Sequence, residues 1–373
     1  MIDNTKTTMR NILILITASA LAATLFSSSA MTMARTSEMS DNKTAARPDM
    51  GPVASMTHNI SDQDSPEAED STVIAIPWFC KRDTMTYWIS ESEWKYNGTD
   101  TVKTAGAYTK VMFTVTDSTK KGYDIEYTFL EFGLDTTASS DLQELYQQAA
   151  RKLQETTIGT TIRFHTDQMG VIKKYYNLNE IKKKTKAVIS DFVAEMTVMD
   201  TLADYGFNTD RLLKLIDTDM IIDSYTEEIE MLFQYFGNEY TIGEYSGHSD
   251  ATDDEYESDT YIAINLDPET YGYEIALDTY NYIPKEDIKD LLGAVIDIFT
   301  TEEASSDIKS EMDADFDEQI THDGIQNSYL YISFFGDGWP MEAVSQKEFS
   351  IGDSGKIRQK HIDWEYRSTG NFD

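Results

Sequence analysis

Cysteine is almost absent from this chain of 373 residues, in which Cys80 is the single example. A lone cysteine cannot form an internal disulfide, so the fold must depend on its apolar core. The hydrophobic content of 40% is sufficient for one large or two modest domains. Cys80 follows Trp78 and Phe79, which predicts a buried or half-buried thiol. The adjacent Lys81 and Arg82 leave open a reactive or intermolecularly paired thiol, because nearby cations lower a thiol pKa.

Positive charge is also scarce, with 31 Lys and Arg against 66 Asp and Glu and a net charge of -35. Nucleic-acid binding needs a clustered positive field, so this composition argues against a nucleic-acid partner. Acidity of this degree more often keeps a protein soluble than recognises a ligand. One stretch of the chain is basic instead of acidic. We interpret this stretch as a solvated helix face, with an anion-binding site as the alternative. Its lysines are Lys173, Lys174, Lys182, Lys183, Lys184 and Lys186.

Long hydrophobic runs are confined to the first 34 residues. The apolar run from Ile12 to Phe26 is about 15 residues, shorter than the roughly 20 that a membrane-spanning helix needs. Small residues follow it, so residues 1–34 are typical of a secretory signal peptide cleaved near Ala30 or Ala34. No cysteine follows the run to accept a lipid. We therefore expect a soluble exported protein, periplasmic or extracellular, without a lipid anchor or a transmembrane segment.

The rest of the chain divides by composition. Residues 35–72 are rich in Ser, Asp, Thr, Pro and Ala without an apolar period, which predicts a flexible leader. Residues 73–205 and 206–373 each combine strand and helix patterns, and we interpret them as two α+β halves. The first half opens with alternating segments at residues 84–96, 107–116 and 122–132, of which the last two form a hairpin.

Helical and strand patterns then alternate. Residues 139–153 have helical spacing after a Ser or Asp cap, and residues 160–177 predict two strands joined by a turn containing Asp167 and Gly170. A second helix is expected after Asn177 or Asn179, and a longer helical region from 209 to 236.

The second half repeats this order of elements. Residues 264–282 form a hairpin pattern in which Gly272 corresponds to Gly122, and a helix follows with Pro284 in its first turn. Two strands joined by a glycine-containing turn are expected at 328–346, and a further strand at 356–366. We expect Gly122 and Gly272 both to require a positive φ. The sequence thus predicts an α+β fold: a curved, mostly antiparallel sheet with helices packed on one side, in two similar halves. Two ordinary meanders with shared turn chemistry are the alternative.

This order, with "GYDIEY" ending a hairpin and "TIRFHTDQMGVIKKYYN" after a helix, resembles uncharacterised secreted bacterial proteins of the DUF6263 type. It is distantly similar to periplasmic lipoprotein-carrier half-barrel folds, in which a curved antiparallel sheet wraps helices. The resemblance covers residues 84–200, rests on no signature motif, and departs from those families in lacking a lipid-anchoring cysteine. It implies a carrier-like fold and an apolar ligand.

Two short motifs have a catalytic or metal-binding appearance. "GDSG" at residues 352–355 looks like the stretch around a serine-protease nucleophile. Lys356 replaces the glycine that follows in those families, no histidine has the sequence setting of their catalytic base, and Asp-Ser-Gly is common turn chemistry. Asp313, Asp315 and Asp317 have the 1, 3, 5 spacing of a calcium loop. Glu318 stands where the loop needs glycine and Gly324 where it needs glutamate, so we interpret the run as a solvated acidic loop and leave cation binding open.

No catalytic, cofactor-binding or metal-ligating residue is assigned from the sequence. The five histidines, at 58, 165, 248, 322 and 361, lack the paired spacing of zinc motifs, and no phosphate or dinucleotide loop is present. We expect no cofactor. The favoured hypothesis is a non-enzymatic cell-envelope protein that binds an apolar small molecule or an envelope protein on the concave side of its sheet. The alternatives are an envelope hydrolase with a dispersed carboxylate site and a structural or adhesive module.

Overall fold

The computed structural model describes residues 71–134, 157–195, 220–252 and 255–370. Within these ranges the chain forms thirteen strands and four helices. The strands are β1 (Thr72–Ile74), β2 (Thr84–Asn97), β3 (Asp100–Thr119), β4 (Gly122–Leu134), β5 (Thr161–Thr166), β6 (Ile172–Tyr175), β7 (Glu239–Thr241), β8 (Gly243–Ser249), β9 (Glu257–Leu266), β10 (Tyr273–Ile283), β11 (Gly324–Phe334), β12 (Pro340–Ile351) and β13 (Ser354–Ser368). The helices are α1 (Leu178–Glu195), α2 (Met220–Phe233), α3 (Lys285–Phe299) and α4 (Glu302–Gln319).

Eleven strands form one antiparallel sheet, in the order β6-β5-β4-β3-β2-β13-β12-β11-β10-β9-β8. β1 pairs separately with β7. The predicted α+β class with a large, curved, mostly antiparallel sheet is confirmed. Strand β2 pairs with the last strand, β13, so early and late parts of the chain meet in mid-sheet. The duplication into two similar halves stays a prediction.

The first predicted hairpin is formed by β3 and β4. Its alternating apolar residues are buried on one face, where Phe113 lies opposite Tyr127 and Val115 opposite Ile125. Lys120 and Lys121 form the turn, and the pairing resumes at Gly122, whose φ is +127°. The positive φ predicted for Gly122 is therefore confirmed.

The same prediction is wrong for Gly272. In the second hairpin the left-handed conformation belongs to the preceding residue, Tyr271, with a φ of +57°. Gly272 is instead constrained by proximity, because a Cβ there would lie 2.9 Å from the carbonyl oxygen of Phe334. The β3–β4 and β9–β10 turns thus have similar sequences but different backbone conformations.

The sheet buries one face, called here the inner face, beneath the helices. Helix α2 presents residues at helical spacing, and Ile229, Leu232 and Phe233 are fully or nearly fully buried. Phe233 packs against Phe113 of β3 and Phe164 of β5, with ring centroids 5.9 and 5.4 Å apart. Most core side chains belong to this one layer between α2 and the sheet.

A smaller core lies under α3 and α4, further along the same face of β10 and β12. Ile288 and Phe316 of the helices pack there with Ile283 of β10 and with half-buried Phe349. Pro284 is the N-cap of α3 and precedes its first turn. No helix among the described residues is long and apolar enough to cross a bilayer.

Several expectations concern parts of the chain outside the described ranges. These are the signal peptide, nearly all of the leader, the helix at 139–153 and the boundary between residues 205 and 206. Thr72, the last residue of the expected leader, begins β1. Asp313, Asp315 and Asp317 lie on helix α4, so the expected acidic loop is wrong. Lys173 and Lys174 lie on β6, and only the other four lysines of that stretch are helical.

Candidate functional site

A cleft opens at one end of the sheet, where two hairpin loops meet. Residues 267–272 join β9 to β10 and residues 335–339 join β11 to β12. The extended segment at residues 75–83 and the end of β13 complete it. Its volume is about 960 Å³, and its lining is Trp78, Asn265, Leu266, Asp267, Thr270, Tyr271, Gly272, Tyr273, Glu274, Tyr331, Ser333, Phe334, Phe335, Gly336, Asp337, Met341 and Arg367.

The loop at residues 267–272 is held by its own hydrogen bonds. The Asp267 carboxylate accepts from the Thr270 hydroxyl at 2.6 Å and from the backbone N–H of Glu269 at 2.9 Å. These bonds stabilise the charged form and lower the pKa of Asp267. Tyr271, held in its left-handed conformation, keeps 71% of its surface exposed at the rim. Such a conformation is costly for a residue other than glycine and often marks functional positions.

The second loop is fixed to the core. Trp339 is buried and stacks on Phe79 with centroids 4.0 Å apart, while the backbone N–H of Phe335 donates to the Trp339 carbonyl. The backbone N–H of Trp78 donates to the carbonyl of Asp337, which places the Trp78 side chain, 66% exposed, at the opposite rim. The cleft therefore has exposed aromatic rings on rigidly held backbone.

Gly336 allows the two loops to approach each other. A Cβ at this position would lie 2.5 Å from the carbonyl oxygen of Thr270 and 3.3 Å from the Tyr271 Cβ. Any other residue would push the loops apart and move Tyr271. The rim geometry thus depends on this glycine.

Glu274 is the best-positioned polar group of the cleft. Its carboxylate accepts from the Tyr331 hydroxyl at 2.9 Å and from the Asn265 side-chain amide at 2.9 Å. Burial, and then this bond to Glu274, raise the pKa of Tyr331 to about 12, so its hydroxyl remains a donor. Two donors therefore fix the position of this carboxylate in the wall.

The cleft carries an excess of negative charge. Arg367 forms an ion pair with Asp337, and its guanidinium lies over the Phe335 ring, 5.2 Å from the centroid. That pairing balances Asp337 but leaves the carboxylates of Asp267 and Glu274 without a cation from the lining. Aromatic walls with two such anionic charges suit a ligand with an apolar body and a cationic or donor group.

From the sequence we expect a ligand site on the concave side of the sheet, but the inner face is filled by side chains. Beneath α2 that face is a filled aromatic and aliphatic core, and beside it lies a cluster of charges. Lys360 of β13 donates to Glu228 at 2.5 Å and to Glu227 at 2.7 Å, both on α2, and lies 3.2 Å from Glu91 of β2. Arg358 approaches Glu91 at 3.3 Å. The cluster holds the helix to the sheet.

Burial and charge compete within this cluster. Burial raises the pKa of Glu228 above its ordinary value in spite of Lys360. Burial also acts on Glu91 and Glu227, but Lys360, with Arg358, outweighs it and lowers both pKa values. The pKa of Lys360 is raised, because the three carboxylates outweigh its own burial.

The sequence motifs find ordinary roles. Cys80 is a half-buried free thiol, as expected. Burial and the nearby Asp83 raise its pKa, which is the opposite of activation. Gly352 and Asp353 form the turn between β12 and β13, as expected for "GDSG". The Ser354 hydroxyl is 3.2 Å from the Asn97 side-chain oxygen.

Four of the histidines fall in the described ranges, and each has a polar neighbour. His165 contacts Asp124, His248 contacts Asp250 and Asp259, and His322 contacts Thr321. His361 contacts Glu342 and Asp363. The histidines look isolated in the sequence, although the "HID" at residues 361–363 places two ligand types on one face of a strand.

The cleft itself was missed from the sequence. The sequence patterns of its loops, "LDPETYGY" and "FFGDGWP", predict only turns. The available signal was that both turns combine glycine with aromatic residues and aspartate. Nothing in the sequence says that β9–β10 and β11–β12 are neighbours at one sheet end.

No family model and no curated protein matches this chain. The resemblance to the DUF6263 type therefore stays an expectation. Among solved structures the chain is similar to lipovitellin, in a structure that concerns lipid-protein interactions in lipovitellin, at 8% identity and a TM-score of 0.35. The match covers 79% of this chain and 26% of that chain, so this chain spans about a quarter of the other's length. A likeness of this size carries no functional argument.

Proposed function

We propose that this chain is an exported, non-enzymatic protein of the bacterial cell envelope, and that its end cleft binds a small molecule with an apolar, preferably aromatic, body. The carrying observation is the combination of exposed Trp78 and Tyr271 on fixed loops with a carboxylate held by two donors. The volume of about 960 Å³ is within the range of small-molecule sites. Export is supported by the pattern of residues 1–34.

The charge balance of the cleft indicates the kind of polar group on the ligand. Glu274 and Asp267 are acceptors without a neighbouring cation from the lining, whereas Arg367 already pairs with Asp337. A ligand that brings an ammonium or similar donor would gain attraction to the carboxylates and to the ring faces of the rim. An anionic ligand would meet repulsion.

The hydrolase alternative gains little support from the described carboxyl groups. Glu228 has a raised pKa, as a general acid often does, but it is sealed between α2 and the sheet and contacts Lys360. A substrate cannot reach it without lifting the helix. The raised pKa of Glu228 is therefore a consequence of its burial under α2 and not a sign of catalysis.

Two matched naphthalene probes test the binding proposal, one carrying a trimethylammonium group and one a sulfonate. We expect the cationic probe to bind more tightly, and Glu274→Gln to weaken it by about tenfold while changing the anionic probe little. Trp78→Ala should weaken both probes. Tyr261→Ala, an exposed aromatic outside the cleft, is the control and should change neither.

Fluorescence titration and native mass spectrometry of protein purified without detergent give the readouts. If the cationic and anionic probes bind wild type equally well, and Glu274→Gln binds both as wild type does, the proposed preference for a cationic ligand is wrong. If neither probe binds and no small molecule is retained, the binding proposal fails, and the structural or adhesive alternative takes its place.

A further inference from the structure

Three metal-ligating side chains meet on the outer face of the sheet, opposite the helices. Glu342 of β12 lies directly across from Asp363 of β13, and His361 precedes Asp363 by two residues, so the pleat places all three on one face. His361 Nε2 is 2.8 Å from Glu342 Oε1 and 3.3 Å from Asp363 Oδ2. Their ligand atoms all lie within 4.8 Å of one another.

The 3.3 Å separation between His361 and Asp363 matches the donor spacing of a metal site, and the 2.8 Å separation between His361 and Glu342 is somewhat shorter. Ligands at about 2.0–2.2 Å from a tetrahedral ion lie roughly 3.3 Å from each other. Both carboxylates also approach the same ring nitrogen of His361. A single N–H on that nitrogen cannot point directly at two acceptors, whereas a cation between the three donors contacts each of them.

We propose that Glu342, His361 and Asp363 bind a divalent transition-metal cation of the zinc class. A set of one imidazole and two carboxylates suits zinc and its neighbours, while calcium and magnesium prefer oxygen ligands alone. Three protein ligands leave at least one position open for water or a further ligand. The site rests on two paired strands inside the sheet, so little reorganisation is needed on binding.

A fourth polar group lies next to this set. Ser333 of β11 is the direct cross-strand partner of Glu342 and shares its face of the sheet. It is 4% exposed, and its hydroxyl lies close to the Tyr331 hydroxyl. Ser333 also lines the cleft, so the metal would sit beside the proposed ligand site without depending on it.

A second histidine provides a matched comparison within the chain. His248 also has two carboxylate neighbours, with Nδ1 2.9 Å from Asp259 and Nε2 3.5 Å from Asp250. These lie on opposite ring nitrogens, so the two carboxylates and the ring cannot converge on one ion. The metal proposal therefore requires His361 and excludes His248.

Titration of the full-length protein with Zn²⁺ and with Co²⁺ tests the proposal. Excess Mg²⁺ in the buffer occupies sites made of carboxylates alone. We expect one Zn²⁺ site by calorimetry, visible ligand-field absorption with Co²⁺, and a rise in the melting temperature with Zn²⁺. His361→Gln should weaken binding by at least about tenfold and remove the Co²⁺ spectrum, and His248→Gln should leave both unchanged.

Asp363→Asn, at an exposed carboxylate, gives a second variant in case His361→Gln fails to fold. It should weaken Zn²⁺ binding while leaving the metal-free melting temperature close to that of wild type. Equal Zn²⁺ affinity of wild type and Asp363→Asn, no Co²⁺ spectrum in wild type, or an equal loss in His248→Gln would each overturn the site. None of these outcomes bears on the naphthalene probes.

Discussion

The turn at Gly122 shows how one residue can fix a register. Its φ of +127° is accessible to glycine and strained for other residues. The backbone of Thr166 and Asp167 from the next hairpin also occupies the space where a Cβ would lie. The turn thus serves two hairpins, because the end of β5 packs on the start of β4.

We expect Gly122→Ala to lower the free energy of unfolding by about 2–3 kcal/mol, since conformational strain and the backbone contact add. Gly98→Ala is the matched control. Gly98 has a φ of +60°, but no atom lies within 4 Å of the point that an alanine Cβ would occupy. That change should cost about 1 kcal/mol. Urea denaturation of the two variants measures the difference, and equal losses would contradict the close-contact argument.

Helix α2 is the element on which inner-face packing depends. One side of it is apolar, and a neighbouring part carries Glu227 and Glu228 to Lys360 of β13. Lys360 and Glu228 are almost completely buried. A buried ion pair adds little stability compared with a pair of apolar residues of similar size. Removing one partner is costly, however, because the other charge remains buried without a counter-charge.

Lys360→Met should therefore lower the free energy of unfolding at pH 7 by about 3–5 kcal/mol. The control is Lys309→Met, which removes the 2.5 Å ion pair with Asp297 between α4 and α3 at a partly exposed site. That variant should lose less than about 1 kcal/mol. Thermal and urea unfolding compare the two, and a loss as small as the control's would show that the cluster does not hold α2 in place.

The same cluster predicts a pH dependence. Glu91 and Glu227 have pKa values lowered from 4.5, so their contribution is present above pH 4.5 and is lost as pH falls through the lowered values. Glu228, with a raised pKa, acts in the opposite direction. In Lys360→Met the attraction that lowers the first two pKa values is gone. The free energy of unfolding of this variant should then fall less steeply with decreasing pH than that of wild type below pH 4.5. Equal slopes of the two curves in this pH range would contradict this assignment.

On the scale of the whole molecule, the sheet is continuous through the β2–β13 pair. Ile89 of β2 lies opposite Ile362 of β13, and both side chains are buried. The early strands thus depend on the last strand of the chain. Two autonomous halves would instead each complete its own sheet.

A fragment of residues 71–205 should accordingly fail to fold alone. In this fragment β2 would keep β3 but lose β13, and its edge would be exposed along its whole length. Its circular dichroism and one-dimensional NMR spectra should show a loosely packed or aggregated chain. Mixing it with residues 206–373 during refolding should restore the native spectrum. A cooperative unfolding transition of the isolated fragment would show that the first half is independent.

The periodicity of apolar residues was enough to predict most of the long strands, the first hairpin, the helix beginning near residue 178, the helix after Pro284 and the α+β class, since these depend on neighbours in sequence. It did not predict the short strands β1, β7 and β8 or helix α4. The pairing of β2 with β13, the cleft loops side by side, and His361 beside Glu342 depend on contacts between distant residues. Pleat alternation assigns a residue to a face but does not say which strand lies next to it. The sequence by itself therefore determined most of the longer elements and their order, whereas the tertiary structure decided which polar and aromatic side chains share a site, because only strand pairing sets the distances between them.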